Sequence, residues 1–121
     1  TFSKDIYEIF QPLMCDLAQE EFWVLLLNQA TKLIDKIRIS SGGIDGTYAD
    51  VRSILREALM QRATQIAAVH NHPSGNIQPS QPDRTLTEHI RKAADTMNIR
   101  LIDHVIVCED GFYSFADEGL L

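Results

Sequence analysis

Two histidines two residues apart, then a serine and an aspartate three residues apart, form the densest group of chemistry-bearing side chains in this 121-residue sequence: His70, His72, Ser80 and Asp83. In an extended segment residues i and i+2 project to the same side, so His70 and His72 can converge on one ion while Asn71 faces away. Asp83 arrives from the first turn of a helix that follows. Neutral imidazole and carboxylate are the usual ligands of a catalytic Zn²⁺, which keeps a fourth position open for water. The group is therefore read as a metal site, with Zn²⁺ as its expected cofactor. Ser80-Gln81-Pro82-Asp83 also fits a helix capping box, with proline tolerated in the first turn. A cap alone does not explain why it stands a fixed short loop away from two same-facing imidazoles.

The elements that must position these residues can be read from hydrophobic spacing. Gln65-Ile66-Ala67-Ala68-Val69 is a short buried strand that delivers His70, and Pro73 ends it. Pro73, Pro79 and Pro82 stiffen the loop beyond it. Leu86, Ile90, Ala93, Ala94 and Met97 step at three and four residues, which predicts a helix from about Pro82 to Asn98. Ile99 to Val107 is a strand, and Glu109-Asp110-Gly111 is a tight turn into a short last strand around Phe112 to Phe115. Upstream, Ile6, Ile9, Phe10, Leu13, Met14 and Leu17 mark an N-terminal helix over residues 1–18 that packs on the core, with Pro12 expected to kink it or delay its start. Phe22 to Leu27 is an unbroken apolar run, as in a strand covered on both faces. Asn28 to Thr31 is a turn, and Lys32 to Ser40 is the return strand of a hairpin. Ser40 to Thr47 is a loop whose glycines match no phosphate-binding pattern. Asp50 caps a middle helix carrying the stripe Val51, Ile54, Leu55, Ala58 and Leu59. The expected order is α-β-β-α-β-α-β-β, a single mixed α/β domain over residues 1–121 with one central sheet and a core from about residue 20.

Composition narrows the function classes. An apolar fraction of 45% and a charged fraction of 23% are ordinary for a globular protein, and no run approaches the roughly 18 apolar residues of a membrane span. A net charge of −6 argues against strong direct nucleic-acid binding by this domain alone, because phosphate binding depends on clustered Lys and Arg. Arg52, Arg56 and Arg62 have Glu57 among them and read as a solvated face. Cys15 and Cys108 lack C-x-x-C spacing and read as reduced thiols. Thr1 to Asp5 lack the basic and apolar regions of a signal peptide, so the expected compartment is the cytoplasm. A nucleobase deaminase would need H-x-E followed by P-C-x-x-C, and Cys108 has no such partner. The tripeptide His70-Asn71-His72 invites the name HNH nuclease, but the three letters of that name are scattered along a ββα-metal module, so a contiguous match carries little weight.

The pattern His70-x-His72-Pro73-x6-Ser80-x2-Asp83 resembles the signature H-x-H-P-x6-S-x2-D of the JAMM (MPN+) metalloproteases. The wording is similar to the bacterial RadC branch in particular: His70-Asn71-His72-Pro73-Ser74-Gly75, then Pro79-Ser80, then Asp103-His104. The likeness runs from about Glu20 to Leu121. It departs in the middle helix, where Asp50-Val51 precede Arg52 in place of the common His-Pro, a surface corner apart from the metal site. RadC proteins usually carry a helix-hairpin-helix region upstream, of which the first helix is the only expected trace within these residues.

The resemblance implies a JAMM/MPN-like α/β fold with a central mixed, curved sheet flanked by helices. It implies that His70, His72 and Asp83 hold Zn²⁺, with water as the fourth ligand, and that Ser80 steadies the tetrahedral intermediate. The family's general base is a Glu at the start of an upstream strand. Glu20 falls there, with Glu21 one residue away as the open alternative. Asp103 and His104 stay open between orienting a ligand and forming a plain buried hydrogen-bonded pair, and His89 is expected on the solvated side of its helix. The implied activity is zinc-dependent hydrolysis of a peptide or isopeptide bond, with a peptide or protein conjugate as substrate. The competing class is a non-catalytic metal-bearing interaction module in DNA repair or DNA metabolism, which the traditional RadC label of DNA repair protein suggests. The sequence assigns no oligomeric state.

Overall fold

The computed structural model describes residues 1–41 and 49–121. Its elements follow the order α1 (Phe2–Met14), β1 (Glu21–Leu27), β2 (Leu33–Ser41), α2 (Val51–Met60), β3 (Gln65–Asn71), α3 (Gln81–Thr96), β4 (Arg100–Cys108) and β5 (Gly111–Ser114). The strands form one sheet in the order β2-β1-β3-β4-β5. Every neighbouring pair is antiparallel except β3 and β4, which run parallel. A parallel pair needs a crossover, and α3 supplies it. The expected mixed α/β fold and element order are therefore observed. Ser40 ends the return strand as expected, Ser41, read as loop, also belongs to β2, and the rest of that loop lies outside the described residues.

Side-chain alternation gives the sheet two buried faces. Phe22, Val24, Leu26, Ile66 and Ala68 pack with Ile54 and Ala58 of α2 and Ile90 and Ala94 of α3. Leu25, Leu27, Ala67, Val69, Val105 and Val107 pack on the other face with Ile6, Phe10 and Met14 of α1. This explains the continuous apolar run of β1, which is covered from both sides. The sheet face carrying Ile66 and Ala68 continues along β3 to His70, beneath α3.

The helices depart from their sequence stripes at the margins. Of the apolar residues of α1, the i, i+4, i+8 row of Ile6, Phe10 and Met14 is buried, whereas Ile9 and Leu13 are exposed. Pro12 neither delays nor stops α1; it lies in the last turn, where its missing N–H forfeits a single helical bond. Leu59 and Met97 are exposed near the helix ends, beyond the sheet they would cover. Asn98 takes φ 58°, a left-handed conformation that suits asparagine, so α3 stops at Thr96 rather than running to residue 98. The Ile99 N–H then bonds the Ala94 carbonyl at 2.9 Å, turning the chain straight into β4.

Candidate metal centre

Strand β3 carries His70 to the end of the sheet, and the chain leaves it through His72, whose N–H bonds the Val107 carbonyl at 3.2 Å. A turn follows in which the Gly75 N–H bonds the His72 carbonyl at 3.0 Å, with Gly75 at φ 85°, a value open to glycine. Helix α3 begins with a complete capping box: the Asp83 N–H donates to Ser80 Oγ at 3.1 Å, and the Ser80 N–H donates to Asp83 Oδ2 at 2.8 Å. The capping box and the proximity of Asp83 to the imidazoles coexist, because the cap aims that same carboxylate back at β3.

The result is a triangle of three ligand-type side chains. His70 Nε2 lies 3.0 Å from His72 Nε2 and 3.3 Å from Asp83 Oδ1, while His72 Nε2 lies 3.1 Å from Asp83 Oδ2. A tetrahedral ion with ligands at about 2.0–2.1 Å requires ligand–ligand edges of about 3.3–3.4 Å. The His–His separation is close to such an edge, and Asp83 turns a different carboxylate oxygen to each histidine. One ligand atom from each of the three residues lies within 4.8 Å of the others, and the donor set of two imidazoles and one carboxylate suits a divalent cation. His72 also holds its ring from the other side, with Nδ1 at 2.6 Å from the Asn76 carbonyl. A carbonyl only accepts, so Nδ1 carries a proton, and in the neutral ring Nε2 then keeps a lone pair that an ion can take in place of the proton it shares with Asp83.

Electrostatics agree with the geometry. Burial would raise the Asp83 carboxyl, but hydrogen bonds from His70 and His72 outweigh it and hold the group well below the usual carboxylate range. Burial would lower His72, but the hydrogen bond to Asp83, the Asn76 carbonyl and the charges of Asp83 and Glu20 leave its pKa above the ordinary 6.5. His104 is completely buried against His70, and desolvation pushes it well below that value.

The two upstream glutamates differ in their surroundings. Glu21 opens β1, and its carboxylate accepts from Trp23 Nε1 at 3.0 Å and faces Arg38 at 3.5 Å. Glu20 sits one residue earlier, where continued alternation gives the side of Phe22, and Phe22 pairs across the sheet with His70. Asn71, which faces away from the imidazoles as its position requires, has a task that its sequence position did not disclose. Its Oδ1 accepts from the Glu21 N–H at 2.7 Å and its Nδ2 donates to the Gln19 carbonyl at 3.1 Å. The backbone on either side of Glu20 is thus tied to the residue between the two histidines.

Asp103 and His104 part company across the sheet. His104 Nε2 lies 2.7 Å from His70 Nδ1. Asp103 instead accepts from Ser114 Oγ at 2.7 Å and from the Ala116 N–H at 3.1 Å, securing the turn after β5. Ring stacking contributes: His70 lies over Phe22 and His104 over Phe115. Thr87, absent from the sequence reading, completes the set with Oγ1 at 2.5 Å from His104 Nδ1. His89 is exposed, as expected. Beside His72 a cleft of about 370 Å³ opens, bordered by Met14, Pro73, Ile77, Val107 and Glu109.

A three-layer α/β domain with two histidines and a helix-capping aspartate at the end of its central parallel pair is the arrangement of a JAB-type domain. The chain belongs to the RadC-like JAB domain family, which it matches over residues 1–120. It is 45% identical over 120 residues to a UPF0758 protein of Flavobacterium johnsoniae, covering 99% of this chain and 52% of that protein. A UPF0758 protein of Porphyromonas gingivalis is 48% identical over 122 residues, covering 100% of this chain and 54% of its own length. UPF0758 protein YfjY of Escherichia coli is 41% identical over 108 residues, covering 89% and 68% respectively. The chain thus spans about half the length of the first two of these relatives.

Proposed function

We propose that this domain is a zinc-dependent hydrolase of peptide or isopeptide bonds, with His70, His72 and Asp83 as ligands, Glu20 as general base and Ser80 as the oxyanion donor. The observation that carries this reading is the convergence of His70, His72 and Asp83, with one ligand atom from each within 4.8 Å of the others and a cleft beside His72. Zn²⁺ held there would lower the pKa of a water to about 7 and polarise a substrate carbonyl.

The remaining chemistry is assigned to the chain itself. Glu20 takes the proton of the attacking water and returns it to the leaving amine. Two observations favour it over Glu21: its charge reaches His72, and the Glu21 carboxylate is engaged with Trp23 and Arg38. Ser80 accepts at the helix cap through Oγ, which leaves the hydroxyl's own proton to donate to the developing oxyanion. The cleft beside His72 is where the acyl side of the substrate would lie. Two free cysteines, Cys15 and Cys108, accord with a reducing cytoplasmic setting. Among the described residues no helix is long and apolar enough to cross a membrane.

The test is metal analysis of the purified protein, joined to a peptidase and isopeptidase panel on point variants. Zinc content near one equivalent is expected in wild type and Glu20→Gln and should be lost in His72→Ala. Turnover should fall on the order of 10²–10⁴-fold in Glu20→Gln and hold in Glu21→Gln. Full activity in both glutamate variants would remove Glu20 from the mechanism. A zinc-loaded wild type that cleaves nothing on the panel would favour the metal-bearing interaction module.

A further inference from the structure

Only one nitrogen of the His70 ring faces the triangle. Nε2 does so, whereas Nδ1 points into the protein, 2.7 Å from Nε2 of His104 on β4. His104 Nδ1 lies 2.5 Å from Thr87 Oγ1 on α3, and Thr87 Oγ1 lies 2.7 Å from the Asp83 carbonyl one turn earlier on the same helix. All of these side chains are buried, His70 and His104 at 0% and Thr87 at 3% exposure.

The proton positions in this chain follow from what each atom can do. A neutral imidazole has one N–H and one lone pair, and a carbonyl oxygen only accepts. For His70 to offer the Nε2 lone pair to a cation, its proton must sit on Nδ1 and find an acceptor. The nearest is His104 Nε2, which must then be unprotonated, so the His104 proton sits on Nδ1. That proton in turn needs Thr87 Oγ1 as acceptor, and the Thr87 hydroxyl passes its own to the Asp83 carbonyl. Every donor is matched, and each assignment forces the next. In the reverse setting Thr87 donates to His104 Nδ1 and His104 Nε2 donates to His70. This places a proton on His70 Nε2 and removes the lone pair a cation needs.

We infer that His104 and Thr87 are positioning residues that set the tautomer of His70, so that a hydroxyl one helical turn beyond Asp83 governs whether His70 can be a ligand. This inference rests on the metal-centre reading and adds to it the residues that orient a ligand. Packing alone would not call for them: His104 lies between the rings of Phe115 and His70, each at a centroid distance of 4.8 Å, where an apolar ring would serve. A partner that accepts the outward-facing proton of a ligand histidine raises metal affinity, and its removal typically costs 10–100-fold.

Thr87→Val keeps the shape and removes the hydroxyl, while Thr87→Ser keeps the hydroxyl. Metal-free protein is titrated with Zn²⁺ against a chromophoric chelator, and imidazole ¹⁵N spectra are recorded on the zinc-loaded samples. Thr87→Val should bind about 10–100-fold more weakly, Thr87→Ser should bind as wild type does, and wild type should show protonated Nδ1 on both His70 and His104. A purely structural threonine would change thermal stability without moving affinity or tautomer. Equal affinity of Thr87→Val and wild type would overturn the relay and leave the metal centre intact. Should Thr87→Val fail to fold, the wild-type spectrum still decides, because a proton on Nε2 of His104 in the loaded protein would overturn the assignment. A wild type that takes up no zinc would overturn the metal-centre reading and this inference with it.

Discussion

Replacing Asn71 with alanine removes the side chain that ties the backbone around Glu20 to the tripeptide bearing both imidazoles. Two hydrogen bonds are lost, from the Glu21 N–H at 2.7 Å and to the Gln19 carbonyl at 3.1 Å. They are unequal in cost. Gln19 is exposed, so its carbonyl can turn to water and the loss there is about 0.5–1 kcal/mol. The Glu21 N–H is half-buried at the start of β1, and leaving it unpaired costs about 1–3 kcal/mol. The sum is about 1.5–4 kcal/mol, to which the vacated volume at a 2%-exposed position adds with the same sign. For a chain of 121 residues each kcal/mol moves the midpoint by about 4 °C, so metal-free Asn71→Ala should melt about 6–16 °C lower. The metal-free form is required because a bound ion adds stability by mass action and would mask the change. Zinc binding should persist, since His70 and His72 are untouched, while turnover drops as Glu20 loses its fixed position. Asn71→Asp separates the causes: it keeps the volume but sets a carboxylate against the Gln19 carbonyl. A melting shift under about 2 °C for Asn71→Ala would refute the clamp. If Asn71→Ala destabilised while Asn71→Asp did not, the bond to the Gln19 carbonyl would carry little of the effect, since aspartate still accepts from the Glu21 N–H.

Zinc uptake should depend on pH with a definite sign. His72 is held above its ordinary 6.5, so in metal-free protein its charged form contributes stability that is complete below that value and fades as pH rises through the raised one. The ion displaces that proton, so apparent affinity should weaken toward tenfold per pH unit as pH falls beneath the raised value. Chelator competition between about pH 8 and pH 6 measures this, and an affinity flat across that window would contradict it. Duplex DNA should bind weakly or not at all at about 150 mM salt, given the net charge of −6. Sub-micromolar binding by fluorescence anisotropy would instead promote the interaction-module reading.

The convergence of His70, His72 and Asp83 was legible in the sequence because the interactions that aim these side chains are local. Residues i and i+2 of a strand share a side, which pairs His70 with His72, and a capping box spans three residues, which turns the Asp83 carboxylate toward the helix start. The α/β order was legible for a similar reason, since periodicities of two and of three to four residues survive in a linear chain. What could not be read there depends on contacts across long sequence separations. The bond from His104 to His70 spans 34 residues and exists because β4 lies parallel to β3 in a register that pairs His104 with Ala68. Thr87 looked like one more polar residue of an amphipathic helix until the crossover laid α3 over that register. The glutamates are the sharpest case. Glu20 and Glu21 are alike in sequence, and only the side of β1 on which Trp23 and Arg38 stand, together with the Asn71 clamp from β3, gives them different neighbours. Short-range stereochemistry fixed which residues could bind an ion; strand pairing and helix docking decided which groups surround them.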